Sequence, residues 1–266
     1  MDTAHAVILG IVQGITEFLP ISSTGHLILF GSVLGDGQTL AFDAMLHLAT
    51  VAAVIVYFWA DISLLFQTFL RLLGRQPVDQ KYLLLFKALI IGTIPAVIFG
   101  LLLEDIMGTL FRNPLLVAGV LVLGSVLFMY AEHTYHTSFR DGRIDMATGL
   151  KVGFFQTLAL IPGMSRSGSA IAGGMILGLS RSEATRFSFL LAIPVLLGGG
   201  AKKALELGST SGTDWGMILA GAVVAFVVGL GAIHFMVSFV KNHSLWPFIW
   251  YRIVVAGVVV AVVFLG

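Results

Sequence analysis

Gln13-Gly14-Ile15-Thr16-Glu17-Phe18-Leu19-Pro20-Ile21-Ser22-Ser23-Thr24-Gly25-His26 decides how this chain is read. The stretch places a carboxylate, an amide, hydroxyls and an imidazole inside apolar sequence. Glu17 alone, within an apolar segment, costs about 2.5–3.5 kcal/mol on membrane-insertion scales. It therefore needs a partner or a function. Gln13 lies four residues earlier and shares its helix face. A second polar stretch, Pro162-Gly163-Met164-Ser165-Arg166-Ser167-Gly168-Ser169, interrupts apolar sequence far downstream. The expectation is that the two bends meet inside a membrane and form one anion-handling site.

Composition supports the membrane. Of 266 residues, 58% are hydrophobic and 11% charged, and the mean hydropathy is +0.99. Soluble domains carry about 25% charged residues. The reading is an all-α polytopic membrane protein, a single integral membrane domain over residues 1–266. The formal net charge of +1 gives no nucleic-acid partner, and no cysteine offers a disulfide or a thiolate metal site. The N-terminus has no basic n-region or small-residue cleavage site, so the first apolar segment reads as mature structure.

Residues 4–19 and 26–35 are each short of the roughly 20 residues that a span needs. Pro20, the serines and Gly25 break them, which predicts a re-entrant hairpin; the alternative is one long kinked helix. Irregular backbone at membrane depth is tolerated where it is buried or lines a wet cavity. Spans are expected at 40–59, 82–103 and 114–131, with an interfacial amphipathic helix over 61–74 and a polar loop from Glu132 to Asp145. Then the pattern restarts: short segments at 147–162 and 167–179, and spans at 186–201, 215–239 and 247–265.

The halves, approximately 1–131 and 147–266, resemble each other. Gly10-Ile11-Val12-Gln13 aligns with Gly153-Phe154-Phe155-Gln156 at a spacing of 143, which also puts Ser22 on Ser165, Ser23 on Arg166, Thr24 on Ser167 and Gly25 on Gly168. Each half then holds one hairpin and three spans. Because three is odd, the halves run in opposite directions, an inverted-topology repeat whose site belongs near the midplane. Arg71, Arg75, Lys81, Arg140, Arg143 and Lys241 fall on one face, and Arg112, Lys202 and Lys203 on the other. The first face is expected to be cytoplasmic, with both termini outside.

Arg166 in its Pro-Gly-x-Ser-Arg-Ser-Gly turn can grip phosphate or carboxylate oxygens with two donors at once. Ser165 and Ser167 add hydroxyls, while Gly163 and Gly168 let backbone approach a ligand. The competing reading is a topology charge in a loop. Ser22, Ser23 or Thr24 can cap the helix that follows Pro20, and its free N–H groups attract anions. His26 suits proton transfer. Asp43 and His47, four apart, either bond each other or line the cavity. Lys87 and Arg252 are expected to snorkel near span ends. Arg181, Glu183 and Arg186 read as a solvated loop, and His133, His136 and His243 as exposed loop residues. A phosphate-gripping arginine, a carboxylate beside serines and an intramembrane position together suggest hydrolysis of a lipid phosphate or pyrophosphate. A lipid-phosphate transporter or flippase with the same anion site is the competing class.

At these motifs the sequence resembles the undecaprenyl-pyrophosphate phosphatase family of bacitracin-resistance proteins. The likeness spans essentially the whole chain. It rests on Gln13-xxx-Glu17, on Phe18-Leu19-Pro20-x-Ser22-Ser23-Thr24-Gly25-His26, and on Pro162-Gly-x-Ser-Arg166-Ser167, with Phe187 to Ala192 and Tyr251-Arg252 beside them. The resemblance implies hydrolysis of the C55 isoprenoid pyrophosphate to the monophosphate, which recycles the lipid carrier for peptidoglycan and other envelope polymers. It implies a bacterial plasma-membrane location, a site open to the outer face, and stimulation by Mg2+ or Ca2+ with Glu17 as a ligand. By motif position Glu17, Ser23, His26 and Arg166 match the family's functional residues, with Gln13, Ser22, Thr24, Ser165 and Ser167 around them. Polyprenyl pyrophosphate is the expected substrate; membrane lipids and a second copy of the chain are the expected partners. Two positions depart from the family pattern. Gln13 stands where a second glutamate is usual, which weakens a two-carboxylate metal site. Ala170 stands where a threonine is usual, and Ser169 is the nearest hydroxyl. The expected chemistry is attack by Ser23 on the terminal phosphorus, with Glu17 or His26 taking its proton. The alternatives are His26 as nucleophile, or a metal-bound water held by Glu17.

Overall fold

The computed structural model describes residues 2–34, 40–103, 113–137, 142–207 and 214–265. Within them the chain forms eleven α-helices: α1 (Thr3–Thr16), α2 (Ser23–Leu34), α3 (Leu40–Tyr57), α4 (Trp59–Leu73), α5 (Gln80–Leu102), α6 (Pro114–Thr137), α7 (Met146–Thr157), α8 (Arg166–Ile176), α9 (Arg181–Leu207), α10 (Trp215–Asn242) and α11 (Trp246–Leu265). Aspartates open four of them. Asp2, Asp79, Asp145 and Asp214 each accept a first-turn N–H at the starts of α1, α5, α7 and α10. The Thr148 N–H, 2.8 Å from Asp145, holds that carboxyl below the usual carboxylate range.

Length sorts the helices. α5, α6, α9, α10 and α11 are long and apolar enough to cross a membrane, and α3 with α4 makes a sixth candidate, bent by 83°. The chain is thus a polytopic helical membrane protein. α1, α2, α7 and α8 have 14, 12, 12 and 11 residues, too few to cross by themselves. They come as two hairpins, each folded at one of the polar bends.

The hairpin helices dock crosswise. α1 packs on α10, and α7 packs on α5, so each half's first helix lies against a long helix of the other half. Both contacts are backbone-close. A Cβ on Gly10 would stand 2.4 Å from Gly221 O, and one on Gly153 would stand 2.3 Å from Gly92 O. Small residues permit this approach. Gly153→Ala is expected to destabilise the protein by about 1–3 kcal/mol through overpacking, measured as a lowered Tm in detergent. A Tm equal to wild type would mean that α7 and α5 shift apart freely.

Phe18 is fully buried and meets Phe189 of α9 edge-on, with ring centroids 5.5 Å apart. That contact anchors the first bend beside Glu17.

Two expectations are corrected. α6 continues to Thr137, so Glu132, His133 and His136 lie in its last turns and not in a loop. Arg181, Glu183 and Arg186 open α9 and are not a solvated loop. Ser180 and Glu183 form a reciprocal cap, Glu183 N–H to Ser180 Oγ at 3.2 Å and Ser180 N–H to Glu183 Oε2 at 3.1 Å. Arg181 Nε donates to Glu132 Oε1 at 3.0 Å; Glu132 is 1% exposed and also accepts the Leu245 N–H. Arg186 Nε donates to Asp61 Oδ2 at 3.0 Å. These pairs tie α9 to α6 and α4. Residues 104–112 and 138–141, including Arg112 and Arg140, lie outside the described residues.

Candidate active site

The two bends are built alike. Ser22 and Ser165, 143 positions apart, have φ of 78° and 77°, the left-handed region that costs a non-glycine residue about 1–3 kcal/mol. Each caps the helix that follows it. Ser22 Oγ accepts the Gly25 N–H at 3.3 Å, and Ser165 Oγ accepts the Gly168 N–H at 3.2 Å. The bends touch: Ser167 Oγ donates to Leu19 O at 3.3 Å, and Ser165 and Ser167 hydroxyls are 3.2 Å apart. Gly163 has φ of 102° and no room for a Cβ, which would meet Val117 O at 2.9 Å. A Cβ on Gly168 would enter the Phe128 ring.

Glu17 sits between the bends, 4% exposed. Arg166 Nη2 donates to Glu17 Oε1 at 3.1 Å. Ser23 Oγ donates to Oε2 at 2.7 Å, and Gln13 Nε2 donates to the same oxygen at 3.0 Å. His47 of α3 brings Nε2 within 3.9 Å of Oε2. Its other ring nitrogen donates to the backbone carbonyl of Asp43 at 2.8 Å, so of the two roles left open for this pair, the ring faces the Glu17 side. Arg166 is incompletely used: Nη1 reaches Ser188 O at 3.5 Å, and Nε is buried with no partner.

His26 faces elsewhere. Its Nδ1 donates to Ser22 O at 2.8 Å, and its Nε2 accepts from Tyr251 Oη at 2.8 Å, with the rings stacked 5.6 Å apart. These bonds orient the imidazole on the α2 side of the first bend. Thr24 is exposed and Gly25 buried. Ser169 Oγ is buried without a partner, so it does not join the Glu17 network.

Arg252 corrects the snorkelling expectation. It is completely buried and makes five hydrogen bonds to four backbone carbonyls. Nε and Nη2 donate to Leu121 O at 3.2 and 3.1 Å, Nη1 to Pro20 O at 3.3 Å and Met164 O at 3.2 Å, and Nη2 to Gly163 O at 3.0 Å. One guanidinium thus joins both bends to α6, with Phe128 beneath it at 4.8 Å. Gly124 leaves the space, since a Cβ there would lie 2.0 Å from Nη2. The signal for this role was an arginine inside an apolar span, six residues past its first turn's Trp246.

Among the described residues no group of three His, Asp or Glu side chains is gathered to hold a metal ion. Glu17 is the one carboxylate at the bends, and Gln13 Oε1 beside it is buried without a partner. Chemically, the arrangement offers a hydroxyl bonded to a buried carboxylate, an arginine with a spare donor, and two helix starts.

A protein-family model described as "Bacitracin resistance protein BacA" matches residues 6–258. The chain is 42% identical over 265 residues to "Undecaprenyl-diphosphatase" of Idiomarina loihiensis, covering 97% of this chain and 98% of that protein. It is 43% identical over 265 residues to the protein of that name from Trichlorobacter lovleyi, at 97% and 96% coverage. Identity to the one from Chloroherpeton thalassium is 37% over 278 residues, at 100% and 98%.

Proposed function

This chain belongs to the BacA family of bacitracin resistance proteins, and from that premise we infer that it is an undecaprenyl-diphosphatase. It hydrolyses undecaprenyl pyrophosphate to the monophosphate and phosphate, and so recycles the lipid carrier of envelope synthesis. The observation that carries the chemistry is Ser23 Oγ, 2.7 Å from Glu17 Oε2, with Arg166 on the other carboxylate oxygen.

In the proposed mechanism Ser23 Oγ attacks the terminal phosphorus. The new O–P bond forms as the bridging P–O bond breaks, and its electron pair leaves on the lipid phosphate. Glu17 takes the Ser23 proton. Arg166 turns its spare Nε, with Nη1, to the phosphoryl oxygens, and the N–H groups opening α2 and α8 add to this. Phosphoryl transfer is accelerated chiefly by such charge stabilisation together with positioning. Water then hydrolyses the phosphoserine. Gln13, Ser165 and Ser167 fix the carboxylate and the second bend, while His26, bonded to Ser22 and Tyr251, orients the first.

A divalent cation, Mg2+ or Ca2+, fits a partial donor set here. Glu17 and the partnerless Gln13 Oε1 would hold it together with pyrophosphate oxygens, as Mg2+ sites with few carboxylates do. Bound there, it would neutralise phosphate charge.

The fold reading is an inverted-topology repeat with two re-entrant hairpins. The equivalent serines, the short hairpin helices and the crosswise Gly10–Gly221 and Gly153–Gly92 contacts support it. The Lys and Arg distribution supports an orientation with both termini outside, while the bacterial plasma-membrane location and a site open to the periplasmic face follow from the family likeness. The apolar outer faces of α5, α10 and α11 suit lipid, and one of them would serve the expected homodimer.

The test is phosphate release from undecaprenyl pyrophosphate by the purified protein. Ser23→Ala is expected to lower it at least a thousandfold, since removing a nucleophile of this kind leaves only binding and electrostatic stabilisation. A flippase needs no nucleophile, so lipid translocation that survives Ser23→Ala, in a wild type that releases no phosphate, would favour transport.

A further inference from the structure

We propose that α4 and the turn into α5 form a docking surface for anionic phospholipid. The headgroup phosphate lies among Arg71, Arg75, Lys81 and Lys87, and the acyl chains run along the exposed apolar face of α4. The inference stands apart from the hydrolytic reading above, since it needs only that the chain sits in a membrane.

α4 leaves α3 at an angle of 83°. Where α3 runs along the membrane normal, α4 therefore runs close to the membrane plane. Its residues sort into three faces. Asp61 and Thr68 turn to the protein: Asp61 accepts from Arg186 of α9, and Thr68 is buried. Trp59, Phe66, Leu70 and Leu73 share a second face at helical spacing, and all four are exposed. Phe69 beside them meets Phe86 of α5, with ring centroids 6.2 Å apart. Gln67 and Arg71 lie on the flank between these faces, both exposed. A helix so divided rests at the headgroup level, its apolar side in the acyl chains and its basic flank at the phosphates.

The charges gather at one end. From Arg71 to Lys87 the chain carries four basic residues and one acid, Asp79. The Asp79 carboxylate is engaged with the Lys81 backbone N–H at 2.8 Å. The four basic side chains are exposed, and none pairs with a carboxylate among the described residues; the Lys81 ammonium lies over the Tyr82 ring at 5.9 Å. Arg181, Arg186 and Arg252, by contrast, are each held by protein oxygens. Lys87 follows Phe86 within the apolar α5, where an exposed lysine extends its stem toward the headgroups.

Arg75 adds a separate observation. The Gln76 N–H bonds to Arg71 O at 2.8 Å and the Arg75 N–H to Leu72 O at 3.2 Å, the helix ending whose left-handed position is ordinarily a glycine. Arg75 takes that position with φ of 52°, although Gly74 stands next to it. Strain of this kind marks positions kept for use, and the Arg75 side chain makes no ion pair within the described chain that would account for it.

The apolar face selects the ligand. A free phosphate would meet the cations but leave Phe66 and Leu70 uncovered. An acidic protein segment would have to enter the bilayer to reach them. A phospholipid satisfies both at once, and an anionic one adds a net charge that a zwitterionic one lacks. Each basic residue at such a surface strengthens the attraction about fivefold.

The experiment titrates the full-length protein, in a non-ionic detergent, with phosphatidylglycerol or with phosphatidylcholine of the same acyl chains, and counts bound lipid by native mass spectrometry. Wild type is expected to bind phosphatidylglycerol about tenfold tighter or more, Arg75→Gln to lose about fivefold of that preference, and Arg71→Gln/Arg75→Gln to bring the two lipids within about twofold of each other. Lys241→Gln removes one exposed charge from the last turn of α10 and should leave the preference as it is. The substituted positions are exposed, and an unchanged Tm confirms that each variant is folded. A preference that survives in the double variant overturns the proposal, as do equal losses in Arg75→Gln and Lys241→Gln, which would make it an effect of net charge. Glycerol phosphate is the third ligand: if it binds as tightly as phosphatidylglycerol, the surface takes a free anion and the lipid assignment falls. If the anionic lipid is not preferred and the double variant changes the mass of the oligomer, the face is instead a contact between copies of the chain.

Discussion

Arg166→Ala is expected to lower kcat/KM for phosphate release by about three to five orders of magnitude, the worth of an arginine that stabilises a transferring phosphoryl group. In the free protein this guanidinium spends one nitrogen on Glu17 and leaves Nε without a partner. In the proposed mechanism the substrate's terminal phosphate would supply the missing acceptor. Two effects would coincide in the variant. The phosphoryl oxygens lose their countercharge, and Glu17, 4% exposed, loses its cation. Breaking a buried pair from one side costs about 3–5 kcal/mol, so the Tm of Arg166→Ala should fall as well. Arg166→Lys separates the two. It keeps a charge near Glu17 and should recover most of the Tm, but a lysine cannot offer the fork of donors, and activity should recover only in part. Phosphate release within tenfold of wild type in Arg166→Ala would place the guanidinium away from the phosphoryl group.

Much of this arrangement was legible in the chain because its determinants are local. Pro20, the serines and the glycines end one helix and start another within a few residues. A repeat spacing of 143 marks the second bend as the counterpart of the first. Segment lengths sort hairpin helices from long ones. Other features depend on contacts that no local pattern carries. Arg252 lies near the start of an apolar helix, where a long side chain ordinarily reaches for water; here Gly124 opens the space that draws it inward instead. The left-handed backbone at Ser22 and Ser165 goes against the usual preference for glycine, and it is held by the caps that each serine makes. The approach of His47 to Glu17 needs α3 laid beside the end of α1. One miss had a visible signal: Ser180-Arg181-Ser182-Glu183 is a capping-box pattern, and such a pattern by itself opens a helix that carries Arg181 and Arg186.

Arg252→Leu is expected to cost both stability and activity although Arg252 touches none of the reacting groups. Its five hydrogen bonds all go to backbone carbonyls, two of them in the Gly163-Met164 bend and one at Pro20. Leucine fills part of the volume and takes the guanidinium from the buried carbonyls of Pro20, Gly163 and Met164, while Leu121 O keeps the Ser125 hydroxyl at 2.9 Å. Each unsatisfied group costs about 1–3 kcal/mol, and such costs do not simply add, so a loss of about 3 kcal/mol or more is the expected scale. That predicts a Tm lower by several degrees. Activity should fall at least a hundredfold, because misplacing positioned groups by about 1 Å is enough for such a loss. Arg252→Lys keeps the charge but has a single nitrogen in place of a planar fork spanning three segments, so it should fall between leucine and wild type on both measures. The informative comparison is with Arg166→Lys, which should lose rate while keeping most of its Tm. In Arg252→Lys the two should decline together, since this cation acts by holding Pro20 and Met164 on one group and so setting the distance between Ser23 and Arg166. An Arg252→Leu protein with wild-type Tm and turnover would mean that the bends hold their places through Ser167–Leu19 and the apolar packing around Phe18 alone.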